Sequence, residues 1–251
     1  MTQSDAVTPV SSGNRKLLAA GLGAMLVGLA MPGYAQDRGP GSEGSASLGY
    51  VGTSGNTDTQ TFESQLRYTL RTTEWVHNLG LQALLAEQDS ISSGERYVLE
   101  GKSDFRVGEN SYFFGKGNYT DDRFTGYDYQ VSAATGYGYY WSNTDELLLE
   151  TFAGAGYRQN AFVDGGDEGE IMLSLGQNLE WAITNMTSLT QSLSSEIGED
   201  LTSSRFEIGL ISNIIGEIST KIAFQARHLS EVPAGRKNTD TQTSISLVYQ
   251  F

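Results

Sequence analysis

The last thirteen residues place the strongest constraint on the fold. Across Thr239–Phe251, Ile245, Leu247, Tyr249 and Phe251 alternate with Ser244, Ser246, Val248 and Gln250. A period of two puts the apolar set on one face of a β-strand. A lone strand leaves two rows of backbone N–H and C=O groups unpaired, so it needs a neighbour on each side. For a last strand the simplest second neighbour is the first strand, and that pairing closes a barrel. Many transmembrane barrels end on such an alternation and a terminal Phe. Alternation alone does not fix the inward face, because a soluble barrel carries the same pattern with its apolar side inside.

The N-terminus speaks to compartment. Arg15 and Lys16 precede an apolar run, Leu17–Ala30, and Gly33-Tyr34-Ala35 offers small residues where a signal peptidase reads. Residues 1–35 are therefore expected to be a cleaved secretory signal, with 36–44 a flexible periplasmic lead-in and 45–251 one barrel domain. The apolar run is short for a spanning helix of about 20 residues. The sequence has no Cys, so neither a disulfide nor a lipidated N-terminal Cys is available. Taking Asp5, Arg15 and Lys16 away from 16 basic and 30 acidic residues leaves a net charge of −15. That charge argues against nucleic acid as a partner. With 30 Gly, 13 Tyr and 10 Phe but only 4 Pro, the composition favours sheet and turns over helix.

After Gly44 the chain is a meander of alternating segments bounded by Gly, Asn, Asp or Ser. Ser45–Thr53, Thr59–Arg71, Trp75–Glu87, Glu95–Val107, Tyr112–Asp121 and Asp128–Trp141 are expected strands. Glu146–Arg158, Glu170–Trp181, Thr187–Glu196, Ser204–Asn213 and Ile218–Leu229 follow, and the closing segment brings the count to about twelve. Glu95–Val107 splits most clearly, with Tyr97, Leu99, Phe105 and Val107 on one face and Arg96, Glu100, Lys102, Asp104 and Arg106 on the other. An even count places both termini on one side, the periplasm in bacterial barrels.

The connections decide which solvent lies outside. Short turns are expected at Thr72–Glu74, Gly108–Ser111, Ser142–Asp145, Ala182–Met186 and Ile214–Glu217. Longer polar loops alternate with them at Gln88–Gly94, Asp122–Tyr127, Gln159–Gly169, Ile197–Ser203 and Ser230–Asn238. Short turns at one rim and long loops at the other are the arrangement of a transmembrane barrel. Trp75, Trp141 and Trp181 all abut short turns. With Tyr112 and Phe251 they are expected to form an interfacial aromatic girdle. The apolar face therefore looks outward into lipid, and the fold class is all-β, a transmembrane antiparallel up-and-down β-barrel.

The stretch Gly49-Tyr50-Val51-Gly52-Thr53-Ser54-Gly55-Asn56-Thr57-Asp58 resembles the opening of the YdiY-like family of salt-induced outer-membrane proteins. The likeness continues in Tyr112-Phe113-Phe114-Gly115 and Asp121-Asp122-Arg123-Phe124-Thr125-Gly126-Tyr127, and returns in Glu150–Arg158 and the terminal Phe251. The Trp expected just before the first strand is missing. The resemblance implies an outer-membrane barrel of a Gram-negative envelope and no established activity. It also implies outer-membrane lipid and lipopolysaccharide as surroundings, and the barrel-assembly machinery as a partner that reads the strand ending at Phe251. Independently of the family, Ser54-Gly55-Asn56-Thr57 suits a tight hairpin, because Gly and Asn tolerate positive φ.

Chemistry has to be sought on the inward face. Its expected lumen-lining charges are Arg67, Glu100, Lys102, Asp104, Arg106, Lys116, Glu150, Arg158, Glu180, Arg205, Glu207, Lys221 and Arg227. With Glu63, Glu170, Glu196, Arg71 and Arg96 added, the wall is nearly neutral, and the excess acid falls on the rims. Such rims would gather cations. A barrel near twelve strands lies between filled eight-stranded and wide sixteen-stranded ones, so the lumen is either packed shut or a narrow polar pore.

The acidic runs Asp121-Asp122 and Asp164–Glu168 lack the ligand spacing of a calcium loop, and no metal or cofactor is expected. Gly136-Tyr137-Gly138 and Gly154-Ala155-Gly156 are not dinucleotide loops, since no helix follows. Such glycines relieve crowding or let aromatic neighbours cover the backbone. His77 is expected outward beside Trp75. His228-Leu229-Ser230 resembles the His-x-Ser of outer-membrane phospholipase A, with Asn238 placed to orient the His. The favoured reading is a narrow channel for small solutes or ions without catalysis. A closed structural barrel supporting the envelope under salt or osmotic stress is the alternative, and a lipid-modifying enzyme using His228 and Ser230 a distant third.

Overall fold

The computed structural model describes residues 40–53, 59–88, 91–122, 127–162, 165–231 and 238–251. Twelve strands form one closed barrel. They are β1 (Gly41–Thr53), β2 (Thr59–Arg71), β3 (Trp75–Gln88), β4 (Ile91–Arg106), β5 (Ser111–Asp122), β6 (Tyr127–Asn143), β7 (Leu147–Phe162), β8 (Asp167–Thr184), β9 (Thr187–Gly198), β10 (Thr202–Ile215), β11 (Ile218–Leu229) and β12 (Thr239–Gln250). Every strand pairs antiparallel with its sequence neighbour, and β12 returns to β1. The expected leader and the Ser54–Asp58 turn lie outside the described residues.

Closure is the shortest seam. Six register pairs join β1 to β12, from Ser45↔Gln250 to Tyr50↔Ile245, against thirteen between β1 and β2. Gly44 and Phe251 extend the seam by exchanging backbone bonds of 2.7 and 2.9 Å. Glu43 pairs with Arg71 of β2 at 2.6 Å. Residues 41–44 are thus wall and not lead-in, because all four pair with β2 and Gly44 also bonds Phe251.

Three expected loops shrink in the same way. The stretches 88–94, 159–169 and 197–203 are largely strand, with pairs such as Asn160↔Glu168 and Ala161↔Asp167. Polar residues there signal water on both faces, which does not prevent pairing. Strands of 12 to 18 residues exceed the roughly 9–11 that cross a bilayer, so hairpins project past the apolar zone.

The outer surface is greasy. On β2, Phe62, Leu66, Tyr68 and Leu70 all face out, and Ile171 on β8 is 78% exposed. Water-soluble monomers rarely show a contiguous apolar surface of this extent, whereas a lipid-facing belt requires one. Trp75, Trp141, Trp181 and Phe251 lie outward at the short-turn rim. His77 stacks on Trp75, with ring centroids 5.6 Å apart.

Tyr112 does not belong to that girdle. It is fully buried, 0% exposed, and faces the interior. Phe113 and Tyr119 take the outward positions of β5, so strand parity puts Tyr112 with Phe114 and Lys116 on the inner face. Proximity to a turn says only how deep a residue sits, while parity decides the side. Glycines of neighbouring strands make room for these inward rings: Gly138 for Tyr112, Gly136 and Gly154 for Phe114, and Gly176 for Phe152. Phe114 and Phe152 meet edge to face at 5.4 Å.

Candidate functional site: the barrel lumen

All thirteen of the charged residues expected to line the lumen occupy the inward parity of their strands, opposite the exposed apolar set. They are Arg67 on β2; Glu100, Lys102, Asp104 and Arg106 on β4; Lys116 on β5; Glu150 and Arg158 on β7; Glu180 on β8; Arg205 and Glu207 on β10; and Lys221 and Arg227 on β11.

Near the short-turn rim one network spans β4 to β8. Lys102 Nζ lies 3.0 Å from Asp104 and within 3.4 Å of the Tyr112 hydroxyl. That hydroxyl donates to Glu150 at 2.6 Å, and Asn178 donates to the other Glu150 oxygen at 2.8 Å. Lys102 also sits over the Tyr112 ring, 4.7 Å from its centroid. A buried carboxylate here is held by donors on two sides, which offsets the cost of taking it out of water.

Deeper along the wall the pairing becomes longer in reach. Lys116 on β5 meets Glu196 on β9 at 3.1 Å. Four strand steps separate them in a twelve-stranded ring, so the pair is a chord through the interior. Glu196 is also 3.7 Å from Arg158. Arg158 binds Glu170 at 2.5 Å and donates to the Leu201 carbonyl at 2.7 Å, while Glu170 accepts from the Asp200 N–H at 3.1 Å. These contacts tie the connection between β9 and β10 to the wall. On β10 and β11, Lys221 and Gln225 hold Glu207 at 2.6 and 2.9 Å.

Between these groups runs a cavity of about 260 Å³. Its lining includes Arg71 and Asn143, next to the short-turn rim, and Leu201 and Arg227, next to the opposite rim. Nine of the thirteen expected residues line it; Arg67, Glu180, Glu207 and Lys221 do not. Seven basic side chains face four acidic ones there. Sequence reasoning missed the inward aromatic residues Tyr112, Phe114, Tyr140 and Phe152. The signal available was parity, since Phe152 shares the even positions of β7 with Glu150 and Arg158.

His228 and Ser230 are not brought together. His228 Nδ1 lies 2.9 Å from Thr239 Oγ1, and the Ser230 hydroxyl accepts from the Thr202 N–H at 2.9 Å. Asn238 donates to the Leu229 and Ser230 carbonyls at 2.8 and 3.0 Å and leaves the imidazole alone. Residues two apart share a face only while the strand continues, and β11 stops at Leu229. Among the described residues no cluster of three His, Cys, Asp or Glu could hold a metal ion. Asp164, of the second acidic run, falls outside the described residues.

Comparison with known proteins agrees with this architecture. Among solved structures, the COG4313 outer membrane channel from Pseudomonas putida F1 superposes with a TM-score of 0.55 and 11% identity, over 88% of this chain and 98% of that one. The likeness is one of fold. The uncharacterized protein YdiY of Escherichia coli (strain K12) is 28% identical over 212 residues, 83% of each chain. Residues 46–251 match the model of the protein family of unknown function DUF481. The chain belongs to the DUF481, or YdiY-like, family.

Proposed function

We propose that the chain is an integral outer-membrane barrel, termini in the periplasm, that passes small polar solutes or ions through a narrow lumen and carries no catalytic site. The observation behind this reading is the polar cavity, whose lining reaches from Arg71 and Asn143 near one rim to Leu201 and Arg227 near the other. Lipid and lipopolysaccharide would surround the belt, and the assembly machinery would engage the strand ending at Phe251, which pairs with β1.

A closed structural barrel is the second reading, and one contact favours it: the Lys116–Glu196 chord lies across the interior. Planar-bilayer recording separates the two. The channel predicts discrete current steps from protein that shows the faster gel migration of an unboiled barrel. Silence from such protein at both low and high salt would favour the structural role. Recovery of the chain as a soluble periplasmic species would overturn both.

A further inference from the structure

On the inward face of β4 a lysine stands between two acids. Glu100, Lys102 and Asp104 follow one another at intervals of two, and all three line the cavity. Lys102 turns to Asp104, 3.0 Å away. There its ammonium lies within cation–π reach of three rings, 4.7 Å from the centroid of Tyr112, 5.3 Å from Phe152 and 5.8 Å from Phe114. The Tyr112 hydroxyl, 3.4 Å from Nζ, connects it to Glu150. Three rings and two carboxylates around one ammonium make a cation cage in the lumen wall.

Lys102 does not exhaust that cage. Asp104 is 3% exposed, yet its Oδ1 has no hydrogen-bond partner. Glu150 accepts from Tyr112 and Asn178 but is in no ion pair among the described residues. Nor is Lys102 bound to stay. Glu100, on its other side, accepts from Asn118 at 3.2 Å and is likewise in no ion pair among the described residues. The two acids flank Lys102 at equal spacing, about 7 Å along the strand. The ammonium can therefore leave Asp104 for Glu100 without losing a carboxylate. Lys116, the register partner of Lys102, does not compete for Glu100, because Glu196 holds it at 3.1 Å.

We infer that this cage is a lumen site for soluble alkylammonium groups, filled by Lys102 in the empty barrel and given up when Lys102 crosses to Glu100. The inference deepens the channel reading and, as a transport role, rests on it. The closed wall separates the cage from lipid headgroups, so the cation comes from solution. The excess of acid on the chain draws cations to the mouths. Exchange of one ammonium for another leaves the charge of the cage unchanged. An alkylammonium also lays its carbon chain against the rings, which a sodium ion has no means to do.

Ethylammonium is the probe. Its methyl proton resonance should broaden saturably with the folded protein in deuterated detergent at fixed ionic strength. Lys102→Met removes the competing ammonium and should tighten binding roughly ten-fold, and Phe152→Leu in that background should weaken it by a similar factor. Glu100→Gln takes away the place to which Lys102 retreats. It should weaken binding in the wild type and leave the Lys102→Met variant unchanged. If Lys102→Met fails to fold alone, refolding is read instead: recovery in ethylammonium and not in sodium supports the cage, and recovery in neither overturns it. Equal binding by wild type and Lys102→Met, or indifference to Phe152→Leu, also overturns it, whatever the conductance. In bilayers with ethylammonium on one side and sodium on the other, the reversal potential should favour ethylammonium, more so in Lys102→Met. Lys102-sensitive binding by a barrel that never conducts keeps the site and overturns the channel.

Discussion

Tyr112 of β5 covers Gly138, its register partner on β6, so closely that a Cβ on the glycine would lie 2.1 Å from Cζ of the ring. The ring cannot swing away, because it is fully buried and its hydroxyl is fixed to Glu150. Gly138→Ala should therefore push Tyr112 out of the wall. Overpacking of this kind costs about 1–3 kcal/mol, and a lost hydrogen bond to a carboxylate adds to it. Urea unfolding in lipid vesicles reads the loss. An unchanged midpoint would mean that the ring has space the structure does not show.

Arg158 and Glu170 should matter to a loop as much as to the wall. Both side chains are under 10% exposed, at 6% and 7%, and both reach the backbone between β9 and β10. Arg158→Ala leaves Glu170 in the wall without its cation. The expected cost is about 3 kcal/mol, the low end for a broken buried pair because the rim lets water in. It should also free residues 199–201, so a Glu-specific protease should cut after Glu199 faster in the variant. Equal cutting of variant and wild type would show that the loop holds itself.

Why Arg205 meets Arg227 shows where sequence reading stops. The strands were legible because alternation of Leu66 with Arg67, or Leu99 with Glu100, is a direct print of the two solvents. Facing was legible for the same reason. Register was not. Counting back from the turn at Gly216-Glu217 pairs Arg205 with His228, but a bulge between Asn213 and Ile215 shifts the ladder by one. That single extra residue sets the two arginines opposite each other. Cross-lumen contacts such as Lys116–Glu196 were hidden for a different reason: they depend on the barrel's cross-section, which no local pattern encodes. Tyr112 was misplaced because depth was read before parity.

The direction of insertion can be read on cells. With short turns in the periplasm, an epitope placed at Gly165, an exposed loop residue with φ of 88°, should be labelled on intact bacteria. One placed at Asn143, at the far end of β6, should be labelled only after the outer membrane is opened. Reversed labelling would mean the barrel is inverted, and surface labelling of both would contradict a wall that spans.

The Lys116–Glu196 chord should set the size of the current. Both side chains are partly solvated, at 23% and 26% exposed, so the pair adds little stability, under about 1 kcal/mol. Lys116→Ala leaves Glu196 beside Arg158, and Glu196→Ala leaves Lys116 near the Phe152 ring. Neither change strands a buried charge, so both variants should fold with nearly unchanged urea midpoints. Each removes half of a bar across the lumen, and each should give larger single-channel steps. Their effects on selectivity should be opposite. Loss of Lys116 moves the reversal potential toward cations, and loss of Glu196 moves it toward anions. Exchanging the two residues, Lys116→Glu with Glu196→Lys, rebuilds the bar with reversed ends and should return the step toward its wild-type size. Steps that stay the same in both Ala variants would place the narrowest part elsewhere, with the Lys102–Tyr112–Glu150 network the next to test.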